Sequence, residues 1–319
     1  MAPQLGTDAG PAGILLMTFG SAVTSADVPA YLRSVRGGRE PSADVLTEFR
    51  RRFDVIGRSP LIDITAAQGQ ALQARLDEGH GRGSYRVAVG MLHSAPTVSD
   101  AVASLLSEGV SSIAGIVMAP QYSPLILSGY ARSLEAAVAT RSPGLPFSIA
   151  GSWHLEPAWV ASLGERLHEA LTRLHGEGEA AAVVFTAHSL PRPVVDRDPG
   201  YLRQVHETVE AVAGNAGLPA AGWQFAFQSA GHTPEEWLTP DLLDVLPGIA
   251  VNGFAGVLVV PVQFVADHLE ILYDIDVAAA GQARAAGLDF HRIAMPNTSP
   301  RFIEALADVA EREVTRTPA

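Results

Sequence analysis

Short, uninterrupted apolar runs recur along this chain, and most are followed by a longer stretch with helical spacing. The runs occupy residues 13–19, 87–92, 113–118, 147–150, 181–186, 223–227 and 256–260. Between them lie alanine- and leucine-rich segments such as 66–78, 98–107, 157–175 and 201–213. A strand that is apolar at every position, rather than at every second one, is suited to burial on both faces. Joined to its neighbours through helices, such a strand belongs to a parallel sheet. The chain is therefore expected to be an α/β protein.

The runs also repeat. Ala114-Gly-Ile-Val-Met-Ala-Pro120 resembles Ala255-Gly-Val-Leu-Val-Val-Pro261, and Ala12-Gly-Ile-Leu-Leu-Met-Thr18 resembles Ala181-Ala-Val-Val-Phe-Thr186. His93-Ser-Ala-Pro96 precedes one member of the first pair as Gln228-Ser-Ala-Gly231 precedes the other. Three matches in the same order point to a duplication. The expected architecture is two similar Rossmann-like lobes with parallel sheets and a cleft between them, over residues 1–160 and 161–319. A length of 319 residues accommodates two such units.

Composition excludes several chemistries. The chain has no cysteine, which rules out thiol nucleophiles, disulfides, zinc fingers and cysteine-ligated iron–sulfur clusters. It also has no lysine, so it lacks the lysine of a phosphate loop and any Schiff-base amine. A net charge of −12 makes nucleic acid a poor partner. No glycine fingerprint follows a strand. The three glycines of residues 79–83 end a helical segment and read as a turn, which argues against a nicotinamide dehydrogenase. Residues 1–10 have no basic run and do not read as a signal peptide. The most apolar stretch, 249–265, contains Asn252 and Pro261 and reads as a buried strand with its flanks rather than a membrane span. A soluble, cytoplasmic protein is the expectation.

In open parallel sheets, ligands bind beyond the carboxyl ends of the strands. That rule selects His188, just after one apolar run, and the segment from Pro261 to Asp274 after another. His188 by itself fits either a hydrogen-bonded core histidine or a metal ligand and proton acceptor. Asp267, Glu270 and Asp274 follow a helical spacing that puts them on one face, as a solvated surface or as a carboxylate row lining a cleft. A carboxylate row opposite a histidine could take up a divalent cation and accept protons. Such a set, without cysteine, suits a transient or catalytic metal better than a closed structural site. His93, at another strand end, is a second candidate; His80, His168, His175, His206 and His291 read as surface or helix-face residues.

These residues sit in motifs that resemble the ferrochelatase family. Phe185-Thr-Ala-His188-Ser-Leu-Pro191 is similar to its histidine motif, and Phe264-Val-Ala-Asp-His268-Leu-Glu270-Ile-Leu-Tyr273-Asp274 to its acidic signature. Shorter matches run in family order along nearly the whole chain, among them Tyr31-Leu-Arg-Ser-Val-Arg36, Ile56-Gly-Arg-Ser59-Pro-Leu61 and Gly151-Ser-Trp153. The resemblance implies a chelatase-like fold with a porphyrin held in the cleft and ferrous iron as substrate. His188 and Glu270 would be the central catalytic pair, with Asp274 extending the metal path. Phe19, Arg36, Arg52, Ser59 and Tyr130 are the candidate porphyrin-binding residues. Arginine is suited to forked bonds with porphyrin carboxylates, although either Arg36 or Arg52 could equally be a surface residue.

The chain resembles the compact bacterial forms, which implies coproporphyrin III as substrate, with protoporphyrin IX as the alternative. Porphyrin and haem product would be its partners, haem-pathway enzymes are candidate protein partners, and a monomer is expected. Two positions depart from the family: Phe19 stands where many members have a tyrosine that can ligate the product iron, and Ala278 where the acidic helix usually has a further carboxylate. A non-catalytic haem or porphyrin carrier and a cobalt or nickel chelatase for a sirohydrochlorin-type ring are the competing readings.

Overall fold

The computed structural model describes residues 10–177, 180–231 and 235–317. The signal-peptide reading of residues 1–10 falls outside the described residues up to residue 9. Strands β1 (Ala12–Thr18), β2 (Tyr85–Met91), β3 (Ser112–Val117) and β4 (Phe147–Ile149) form one parallel sheet in the order β2-β1-β3-β4. Strands β5 (Ala181–His188), β6 (Trp223–Gln228), β7 (Gly256–Pro261) and β8 (Asp289–Arg292) form a second, in the order β6-β5-β7-β8. The two orders are the same, and each sequence match of the repeat falls on, or just after, equivalent strands. Central strands β1, β3, β5 and β7 are the continuously apolar ones, as burial on both faces requires. β8, at an edge, reads Asp-Phe-His-Arg; so short and polar a strand carries no apolar signal of its own.

Helices α1 (Val28–Val35), α2 (Ala43–Ile56), α3 (Leu61–His80), α4 (Val98–Ser107) and α5 (Pro124–Arg141) belong to the first half. The start of α4 is set by a capping box in which Thr97 and Asp100 satisfy each other's backbone N–H groups. Helix α6 (Pro157–Glu177) links the halves. The second half carries α7 (Arg192–Arg197), α8 (Pro199–Asn215), α9 (Leu242–Val251), a π-helix (Glu270–Ala279), α10 (Ala280–Ala285) and α11 (Pro300–Arg316). Among the described residues no helix is long and apolar enough to cross a membrane. The stretch 249–265 is the end of α9, a turn and β7 with its exit loop.

Residue 160 lies inside α6, and α11 crosses back to pack on α3, α6, β3 and β4. One apolar cluster consequently joins inner-face residues of both sheets, such as Ile14, Ile116, Phe185 and Leu258, to Trp159 and Leu163 of α6 and Phe302 and Leu306 of α11. Polar contacts add to it. The Gln68 amide donates to the carbonyls of Val265 (3.2 Å) and Asn297 (2.9 Å), and the Gln121 amide to Thr208 Oγ1 at 2.9 Å. These contacts hold the carboxyl ends of the two sheets in a fixed relation.

Candidate active site

His188 is the last residue of β5, the strand flanked on both sides in its sheet. Its backbone N–H donates to Gln263 Oε1 at 2.8 Å, and its Nδ1 donates to the Ser189 carbonyl. A carbonyl can only accept, so Nδ1 carries a proton and Nε2 is the nitrogen turned toward Glu270. Nε2 lies 3.6 Å from Glu270 Oε2. His268 repeats the arrangement: Nδ1 donates to the Ala266 carbonyl at 3.1 Å, and Nε2 lies 3.5 Å from the same Glu270 oxygen. The 3.6 Å His188–Glu270 gap is too long for a direct hydrogen bond. It does fit two ligands of one cation with bonds of about 2.0–2.2 Å each.

Glu270 opens the π-helix, whose i→i+5 bonding widens each turn. The widening brings side chains four positions apart closer to alignment, so Asp274 follows Glu270 along one edge and Ala278 comes next. Asp267 does not join this row. It precedes the helix, its carboxylate accepts from side chains of other segments (Asn297 Nδ2 at 2.8 Å, Arg292 Nη2 at 3.3 Å), and its own N–H is held by Asn297 Oδ1. The expected one-face spacing of Asp267, Glu270 and Asp274 is thus corrected: the helix starts after Asp267, and it is not an α-helix.

Electrostatics separate the two remaining carboxylates. Burial pushes the Glu270 carboxyl up, but the His188 charge, the His268 contact and Arg52 together outweigh it and hold it at about 2. Burial also pushes Asp274 up; the nearby Ser229 hydroxyl opposes it, the Glu270 charge adds to it, and the net shift is upward. Ser229 holds a left-handed backbone, φ 59°, a conformation rarely adopted by a residue other than glycine. It follows β6 and stands beside the acidic row.

The other half of the site comes from the first lobe. Arg52 on α2 donates from Nη1 to Asp274 at 3.1 Å and from Nε to Glu48 at 2.8 Å, and its guanidinium stands 5.1 Å over the Tyr273 ring. Arg51 donates to the Tyr273 hydroxyl and to Glu48. Arg52 is therefore already paired with two carboxylates, whereas Arg36, at the end of α1, is exposed and has no ion-pair partner among the described residues. Phe19 follows β1, is 44% exposed, and meets the His93 ring edge-on at 4.5 Å. His93 Nδ1 pairs with Ser34 Oγ at 3.0 Å, and burial lowers its pKa, favouring the neutral ring. Ser59 is buried, and its Oγ accepts from Ser21 Oγ at 3.1 Å. Ser21 and Ser94 exchange two 2.8 Å bonds, a close approach permitted by Gly20 at φ +90°, where any Cβ would strike Ser94 Oγ.

Tyr130 is buried in the core of the first lobe beside β3, with its hydroxyl pKa raised by burial. Tyr31 is close to both Tyr130 and Glu270: burial raises its pKa first, and the Glu270 charge raises it further. It ties the sequence-identified residues of the first lobe to the His188–Glu270 pair. Tyr31, Ser229 and Gln263 were not singled out as site residues from sequence. The only signal was that each falls in or beside a family motif.

Two parallel sheets of equal strand order, with a histidine and a carboxylate set opposite each other beyond the carboxyl ends of β5 and β7, are the features of a chelatase-type fold. The sirohydrochlorin chelatase SirB from Bacillus subtilis subspecies spizizenii, in complex with cobalt, has the same fold, with a TM-score of 0.58, 13% identity and 96% of each chain covered. Sequence is more specific. The ferrochelatase family model matches residues 11–314. The ferrochelatase of Deinococcus radiodurans is 35% identical over 96% of this chain and 97% of its own. The coproporphyrin III ferrochelatase of a Geobacillus species is 34% identical over 95% and 97%. The chain belongs to the ferrochelatase family, porphyrin metal chelatases of haem biosynthesis classed as lyases.

Proposed function

We propose that the chain inserts ferrous iron into coproporphyrin III to give coprohaem, with His188 and Glu270 as the catalytic pair. The observation that carries this reading is the pair itself: an imidazole Nε2, its Nδ1–H held by a carbonyl, facing an ionised carboxylate across 3.6 Å. Insertion replaces two pyrrole N–H protons by one Fe²⁺, so the site must accept protons and steer a cation together. In its neutral form His188 accepts a pyrrole proton or ligates the incoming iron through Nε2. Glu270, held ionised, stands opposite, and its charge compensates the cation and then the imidazolium. Asp274 continues the acidic row and passes iron inward. Among the described residues no three His, Asp or Glu side chains close into a metal site. The remaining ligands of the iron are then the porphyrin nitrogens, which favours transfer over retention.

Exposed Phe19 offers an apolar face to the macrocycle, and Arg36 a guanidinium for a propionate. Arg52 can serve as a second anchor only by exchanging Asp274 for a propionate, so its main role is to hold Asp274. Ser59 and Tyr130 shape the wall behind Phe19 and Tyr31. Support for coproporphyrin comes from relatives such as the Geobacillus protein, whose name states that substrate. Four propionates also give arginine more anchors than two. The chain acts as a soluble cytoplasmic monomer that delivers its product to a later enzyme of the haem pathway. Initial rates with coproporphyrin III and protoporphyrin IX under anaerobic ferrous iron test the proposal. Faster use of coproporphyrin is expected. Preference for protoporphyrin reverses the substrate, and binding of both without insertion makes the chain a carrier.

A further inference from the structure

A cavity lies beside the end of the π-helix that carries Asp276. It has a volume of about 530 Å³, within the range of small-molecule sites. Its walls come from α6, the end of the π-helix with α10, and β8 with its exit loop. Four arginines line it, Arg166, Arg173, Arg284 and Arg292, against only two carboxylates, Glu169 and Asp276. An excess of two positive charges in one concavity is notable in a chain of net charge −12.

The four guanidinia are held differently. Arg292 is fixed by Asp276, through Nε at 2.7 Å and Nη2 at 2.9 Å, and its Nη2 reaches Asp267 at 3.3 Å. Arg166 donates from Nη1 to the Ser162 carbonyl at 2.8 Å and from Nη2 to the Pro296 carbonyl at 3.3 Å, while its buried Nε–H has no acceptor among the described residues. A buried N–H left without an acceptor is unfavourable and is normally satisfied by a ligand or water. Arg173 and Arg284 are exposed and have no ion-pair partner among the described residues. Two anchored guanidinia inside the cavity and two uncommitted ones on its rim, beside apolar Phe290 and Ile293, make a receptor for forked hydrogen bonds.

We propose that this cavity binds a small oxyanion carrying two or more negative charges, borne on phosphate or carboxylate groups. The site is separate from the catalytic pair. Asp276 turns to Arg292 on β8, whereas Asp274 on the same helix turns to Arg52 on α2. The shared helix nevertheless connects the two, because an anion that takes up hydrogen bonds of Arg292 loosens the hold on Asp276 and Asp267 at either side of Glu270.

Isothermal titration of the full chain with inorganic pyrophosphate and, separately, citrate tests this at neutral pH and low ionic strength. One equivalent of at least one probe should bind, and the preferred probe identifies the phosphate or carboxylate source. The double variant Arg173→Ser, Arg284→Ser should bind that probe at least about tenfold more weakly. A control double variant, Arg82→Ser with Arg316→Ser, removes the same charge elsewhere and should bind as the unaltered chain does. All four side chains are exposed, and circular dichroism checks that both variants fold. The proposal is overturned if neither probe binds up to millimolar concentration, if loss of Arg173 and Arg284 leaves binding unchanged, or if the control weakens it equally.

Discussion

At the scale of single residues, the site separates groups by protonation. His188 turns its Nε2 toward Glu270 because the Ser189 carbonyl takes its Nδ1–H, and Glu270 stays ionised because the charges around it outweigh its burial. Replacing His188 with alanine should reduce insertion by a factor of about a hundred or more, with the fold retained, since a positioned acid–base group contributes on that order. Near-normal turnover in that variant would remove His188 from the mechanism. Under the proposed roles, Glu270→Gln deletes the carboxylate charge that faces His188 and should abolish nearly all activity. Asp274→Asn should act mainly on the KM for iron, by roughly 10- to 100-fold, as expected for one charge-assisted contact. Steady-state kinetics with circular dichroism as a folding control decide the order. If Asp274→Asn is the more damaging change, the two roles are reversed. His188, Glu270 and Asp274 were legible in the sequence because each sits in a long motif after an apolar strand. Tyr31 and Ser229 were not, because proximity to Glu270 and a left-handed φ are products of the folded chain.

At the scale of elements, the pairing of α2 with the π-helix closes the site. Arg51 and Arg52 stand 5.1 Å over the Tyr273 ring, Arg52 bridges to Asp274, and Glu48 holds both arginines. Hydrogen bonds from Arg51 and then Arg52 hold the Glu48 carboxyl down at about 2, against a smaller opposing effect of burial. A depressed carboxylate stabilises the fold fully above its ordinary value of 4.5, and that contribution is lost as pH falls through about 2. Glu48→Gln should therefore lower the Tm near neutral pH, and the difference from the unaltered chain should shrink between pH 4.5 and about 2. Thermal melts across that interval check this; a difference that grows on acidification would exclude the assigned pairing. The acidic segment was legible as a helix carrying Glu270 and Asp274. Its π form and its start after Asp267 were not, since apolar spacing alone does not distinguish i→i+4 from i→i+5 bonding over ten residues.

At the scale of the whole molecule, α6 and α11 join the two sheets through one core. Trp159 is fully buried in it, with its ring 5.6 Å from Trp153 and 5.7 Å from Phe302. Trp159→Ala should cost about 3–5 kcal/mol, the usual range for deleting a large buried aromatic side chain. Because the cluster spans both lobes, the unaltered chain should unfold in guanidinium as one cooperative transition by fluorescence and circular dichroism alike. Two resolved transitions would show that the lobes are energetically independent. A joint core also fixes the distance between His188 and the residues around Phe19, so strain in α6 should appear in the KM for porphyrin.

The α/β class, the two lobes of equal order and the positions of His188, Glu270 and Asp274 were readable from the chain alone. Each of these follows from local pattern: continuous apolar runs define buried parallel strands, a repeated order defines equivalent sheets, and motifs at strand ends place chemistry there. Which of these groups meet depends on the folded chain. It withdrew Asp267 from the acidic row by pairing it with Arg292 and Asn297, and it committed Arg52 to Asp274 while leaving Arg36 open. It also carried α11 back across the proposed lobe boundary and gathered four arginines from α6, α10 and β8 around one cavity. Those outcomes depend on contacts between residues distant in sequence, where charge and burial act through space and leave no periodicity along the chain.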